Sequence, residues 1–65
     1  MNGKQLIKTL EEYSWKLDRI KGSHHILVKE NRRSIPVPVH GNKDLPHSLI
    51  NAILKQAGIK KEDLK

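Results

Sequence analysis

Lys21-Gly22-Ser23-His24-His25-Ile26-Leu27-Val28 reads as a turn that opens into a strand, with two histidines at its mouth. Glycine followed by serine is turn chemistry, and the run from His24 to Val28 is rich in β-branched and apolar residues, as a strand requires. Side chains alternate along a strand, so His24, Ile26 and Val28 share one parity and His25, Leu27 and Lys29 the other. With the β-branched pair taken as inward, His25 is expected to face outward and His24 toward the core.

Upstream, Trp15-Lys16-Leu17-Asp18-Arg19 alternates like a strand, with Trp15 and Leu17 on one side. Ile20 is out of phase with them, which predicts a bulge or twist nearby. Before that strand, Leu6, Leu10 and Tyr13 recur at helical spacing with Ile7 beside them, while Lys4, Lys8, Glu11 and Glu12 take the other face. Asn2 and Gln5 are placed to form a capping box at the start of this helix.

Downstream, Asn31-Arg32-Arg33 forms a short basic turn, and Ile35, Val37 and Val39 then alternate with Pro36, Pro38 and His40. Backbone N–H groups two residues apart point to the same side of a strand. Pro36 and Pro38 therefore remove donors from one side only, and this segment must be an edge strand. By its parity His40 joins His25 on the open face. Pro46 suits the first residue of a closing helix whose apolar face is Leu49, Ile50, Ile53, Leu54 and Ala57, with Gly58 as its C-terminal cap. Ile59 to Lys65 reads as one more short turn, with Leu64 folding back onto Ile59.

The predicted order is helix, strand, strand, strand, helix: an α+β fold in which two helices cover one face of a three-stranded antiparallel sheet. With 65 residues the chain is expected to form one domain, 1–65, and to bury roughly 60% of the surface its unfolded form exposes. An enclosed catalytic cavity does not fit in so small a body; any active site must be shallow and its substrate large. There is no cysteine, so neither a disulfide framework nor a thiolate metal site is available. Thirteen Lys and Arg against seven Asp and Glu give a net charge of +6, which attracts polyanions, RNA or DNA first among them. Nothing resembles a signal peptide or the ~20 apolar residues of a membrane span. A soluble, cytoplasmic protein with no membrane association is expected.

The order of elements matches the double-stranded-RNA-binding fold, and four stretches narrow the match. Gly3-Lys4-Gln5-Leu6-Ile7, Lys21-Gly22-Ser23-His24-His25, Val37-Pro38-Val39-His40-Gly41 and Ile53-Leu54-Lys55-Gln56-Ala57-Gly58 together resemble the HicA toxins. These are small mRNA interferases of toxin–antitoxin pairs. The resemblance implies an endoribonuclease whose catalytic residue is the last histidine of the G-S-[HN]-H segment, here His25, acting on single-stranded regions of mRNA. It also implies inhibition by a HicB-type antitoxin, in a hetero-oligomer that covers the open face and this histidine.

Histidine suits metal-independent phosphodiester cleavage because its ordinary pKa lies near neutrality, so it can accept a proton from the ribose 2′-hydroxyl. No cofactor or metal is expected: His24 and His25 diverge on a strand, and no acidic residue or cysteine accompanies them. Lys21, Gly22, Ser23, Lys29, Arg32, Arg33 and His40 are the candidates for holding RNA or its phosphates, with Lys21, Lys29, Arg32 and Arg33 as the nearest candidates for stabilising the phosphate. His40 is either a second acid or base or a strand-end residue bonded to its loop; His47, in a first helical turn, reads as surface. The competing reading is a non-catalytic RNA-binding module, against which stands the absence of a lysine cluster in Asp44-Leu45-Pro46-His47. Trp15 and Tyr13 both have core roles, leaving no aromatic to stack bases, and weak sequence preference is expected.

Overall fold

The computed structural model describes residues 1–60 and Glu62. Helix α1 spans Gly3–Glu12 and begins with the expected capping box. The Asn2 side chain accepts from the Gln5 N–H at 2.9 Å, and the Gln5 side chain accepts from the Asn2 N–H at 2.8 Å. Two otherwise orphaned donors are thus satisfied at the first turn. Leu6 and Leu10 are fully buried, and Ile7 and Tyr13 pack at the margin of the core. The helix ends as Ser14 takes a left-handed φ of 74°, turning the chain so that Trp15 drops into the core.

Strands β1 (Lys16–Lys21), β2 (His24–Val28) and β3 (Ile35–Pro38) form an antiparallel meander in the order β1-β2-β3. The register slips between Leu17 and Arg19, two residues before the out-of-phase isoleucine. That bulge restores Ile20 to the face of Leu17, since Leu17 pairs with Leu27 and Ile20 with His25. Strand β3 is an edge strand, as its prolines require.

Helix α2 spans His47–Gln56, with Pro46 one position earlier than expected, at the cap. It closes at Gly58, whose φ is 75°, and the Ile59 N–H then donates to the Leu54 carbonyl at 2.9 Å. Both side chains are buried, the hydrophobic contact that commonly accompanies such a cap. The expected fold-back of Leu64 lies outside the described residues.

Both helices approach the sheet over β3, so the core is thickest there and thins toward β1. It is built from Leu6 and Leu10 of α1, Trp15, Leu27 of β2, Ile35 and Val37 of β3, and Leu45, Ile53, Leu54, Ala57 and Ile59 around α2. At the far side, Leu17 is 44% exposed although it faces the helix layer.

The register corrects the expected parity of β2. Leu27 pairs with Ile35 and His25 with Val37, and residues paired across an antiparallel ladder share a face. Ile35, Val37 and Leu27 are all buried under the helices, so His25 belongs to the helix face and His24 to the opposite one. The physical reason is that β2 carries apolar residues of both parities. Ile26, on the open face, is still only 8% exposed, flanked by its pairing partners Arg19 and Pro36.

Helix α1 is seated on the end of β3 at Gly3. A Cβ at this position would collide with the Pro38 carbonyl oxygen and lie 2.9 Å from Val39 Cγ2. The same end is tied down from the other side, where the Leu45 N–H donates to the Met1 carbonyl at 2.9 Å and the Met1 amino group stands 3.5 Å from Asp44. Gly3→Ala is therefore expected to cost about 1–3 kcal/mol, the usual penalty for overpacking, because the obstacle is backbone and cannot rotate away. Urea unfolding followed by circular dichroism checks this; an unchanged midpoint would contradict the close seating.

Candidate active site

The site is built at the end of the sheet where β1 turns into β2. Gly22 takes a left-handed φ of 60°, which lets two residues close the hairpin between the paired Lys21 and His24. A Cβ on Gly22 would meet nothing within 4 Å, so its role is the turn itself. The Ser23 carbonyl accepts from the Val39 N–H at 2.8 Å, fastening the turn to the segment after β3. Gly3 packs against that same segment. Three of the four stretches singled out in the sequence thus meet at one end of the molecule.

His25 is half-buried in the middle of a three-residue row across the sheet. On one side Val37 is wholly buried beneath the helices; on the other Ile20 is 57% exposed. The imidazole therefore stands on the boundary between the covered and uncovered parts of the helix face. Its Nδ1 is enclosed and has no hydrogen-bond partner, whereas Nε2 is not enclosed. An orphaned buried nitrogen costs about 1–3 kcal/mol, and such groups are rare enough that a functional reason is sought for them. What the arrangement offers is one ring nitrogen open to a large ligand and a ring held by packing alone.

The other candidates divide between two ends of the sheet. Lys21 is exposed and follows β1 into the turn, but its pair with His24 places both side chains on the face opposite His25. His40 follows the end of β3 and is exposed, and its carbonyl accepts from the Lys43 N–H at 3.1 Å. Its strand parity goes with Pro36 and Pro38, so the expectation that it shares a face with His25 fails once His25 is assigned to the helix side.

Lys29, Arg32 and Arg33 lie at the opposite end of the β2–β3 hairpin. Lys29 is four residues along from His25, roughly 13 Å at strand rise, and the arginines follow in the turn beyond it. They are not the nearest cations to His25 in space. Arg32 has a different setting: its guanidinium reaches over Gly58, where a Cβ would lie 2.8 Å from Nη2. A cation is favourable there, at the C-terminal end of α2.

Sequence reasoning missed Ile20 as the open flank of the histidine. Its break of phase was the available signal, but the bulge that explains it had first to be located. Among the described residues no three His, Asp or Glu side chains group as metal ligands would, and no helix is long and apolar enough to cross a membrane.

Fold and site together define a small basic protein of the α-β-β-β-α class, with a strand-borne histidine at the edge of its helix layer. Residues 3–59 match the family model described as the HicA toxin of bacterial toxin–antitoxin, and the chain belongs to that family. It is a toxin by that membership, and an antitoxin is its partner in general terms. No curated protein matches the chain.

Proposed function

We propose that the protein is a metal-independent mRNA endoribonuclease, an mRNA interferase, with His25 as its catalytic base. The observation that carries this reading is the half-enclosed imidazole, fixed on a strand with Nε2 open and Nδ1 unpartnered. In the neutral ring Nε2 takes the proton of a ribose 2′-hydroxyl. The freed oxygen attacks the adjacent phosphorus, and the bond from phosphorus to the 5′-oxygen of the next nucleotide breaks. That oxygen leaves with a proton from solvent or a second acid, giving a 2′,3′-cyclic phosphate and a free 5′-hydroxyl.

Lys21, beside the Gly22-Ser23 turn, reaches round the end of the sheet from the face opposite His25 to offset charge on the reacting phosphate. Lys29, Arg32 and Arg33, at the remote end, hold the RNA backbone away from the cut. His40 contacts backbone from the other face. The burial of Trp15 leaves no exposed indole to stack bases, so single-stranded stretches of mRNA are cut with weak sequence preference. The setting is the cytoplasm, where a HicB-type antitoxin restrains the activity.

Incubating the purified chain with a long unstructured RNA and excess chelator tests this. Fragments should carry 5′-hydroxyl ends that ligate only after kinase treatment, and cyclic phosphates at the 3′ side. Ends bearing 5′-phosphates would sink the mechanism. RNA that is retained but never cut would favour the binding-module reading.

A further inference from the structure

The two edges of this sheet are treated differently. On β3 the outward donors are removed by Pro36 and Pro38, a recognised device against unwanted strand pairing. On β1 no proline intervenes, and all six residues from Lys16 to Lys21 are exposed. In a two-residue hairpin the closing pair is hydrogen-bonded across the ladder. Lys21 therefore turns its N–H toward β2, and Ile20 presents its own to the free edge.

This edge also carries unburied apolar surface. Leu17 and Ile20 lie on the helix face and are 44% and 57% exposed, and apart from Met1 they are the exposed large apolar side chains of the described residues. They are framed by cations. Lys16, Arg19 and Lys21 against Asp18 leave three positive charges to one negative, and Asp18 is engaged by Arg19. Lys16 and Lys21 have no ion-pair partner among the described residues.

We propose that β1 accepts a fourth strand from an acidic protein partner. The partner segment is extended and alternates in character. Its apolar side chains cover Leu17 and Ile20, its carboxylates meet Lys16 and Lys21, and its backbone pairs with the free N–H and C=O of Ile20. A second copy of this chain is a poor occupant, because two bodies of charge +6 repel. The inference deepens the antitoxin partnership that family membership implies, and it does not depend on whether His25 cuts RNA.

The test uses the antitoxin co-expressed from the chain's own locus. Hydrogen exchange of the complex should slow the Ile20 amide at least tenfold relative to the free chain, with the Arg32-Arg33 turn unchanged. The double variant Lys16→Glu/Leu17→Glu should weaken antitoxin binding at least 100-fold while keeping the thermal midpoint and the RNA cleavage rate of the parent. If that variant does not fold, Ile20→Pro removes the edge donor in the way β3 does and is expected to weaken binding likewise.

An Ile20 amide that stays in fast exchange inside a tight complex overturns the proposal. So does a folded variant that binds antitoxin like the parent, one that loses RNA while keeping antitoxin, or a free chain found to dimerise through this edge by sedimentation. A parent chain that binds antitoxin through β1 yet cuts no RNA would refute the nuclease reading and leave this one standing.

Discussion

His25→Ala should lower the rate of RNA cleavage by about 10²–10⁴-fold, the range typical of a general base, and leave the fold intact. The loss is expected in turnover more than in RNA affinity, because in the proposed mechanism the imidazole supplies a proton acceptor while the cations hold the backbone. Stability should change little: some packing beside Val37 is lost, but so is a buried nitrogen with no partner. His24→Ala is the matched control. That side chain sits on the opposite face of the same strand, so it should leave cleavage within a few-fold of the parent. Single-turnover assays on both variants decide the matter, with circular dichroism to confirm folding. If His24→Ala is the inactive one, the catalytic ring lies on the open face and the register-based assignment is wrong.

The second large effect is on stability. Trp15→Ala is expected to remove about a third or more of the protein's stability. Trp15 is 1% exposed and is the largest of the fully buried side chains, so its truncation leaves a cavity that a small core cannot close. Removing a buried Trp costs about 3–5 kcal/mol. At the usual 0.05–0.15 kcal/mol per residue, a chain of this size has only about 3–10 kcal/mol in all.

Trp15→Phe should be far milder, below about 1.5 kcal/mol, because it keeps most of the apolar volume and deletes an Nε1–H that is buried without a partner. Urea titrations followed at 222 nm separate the two. A cooperative transition for Trp15→Ala near that of the parent would show that Trp15 is not central to the core.

The contrast between these two sites shows where sequence reading succeeds. Trp15, Leu6, Leu10 and the apolar face of α2 were legible because each lies in a pattern with one apolar side, and an amphipathic element has one stable way to be buried. The Asn2–Gln5 capping box and the Gly58 terminus were legible because they depend on neighbours three or four residues away. The prolines of β3 were as informative, since a missing donor excludes a central strand whatever the rest of the chain does.

His25 was different. Its position was marked by the turn before it and by the resemblance of the surrounding residues, but its facing was not, because β2 presents Ile26 and Val28 on one side and Leu27 on the other. Local alternation then allows two answers, and a one-residue change of parity moves every side chain to the other face. Pairing with β3, whose alternation is strict, removes the ambiguity. In the same way Lys29, Arg32 and Arg33 looked close to His25 because they follow it within a few residues, whereas an extended strand carries the chain away at about 3.3 Å per residue.

Local pattern and stereochemistry were thus enough for the kind and order of the elements and for the edge position of β3, while the resemblance marked His25 as the candidate residue. Long-range pairing alone decided which face that residue occupies, which cations stand near it, and which strand edge remains open. Those depend on the register between segments distant in the chain, and no local periodicity encodes it.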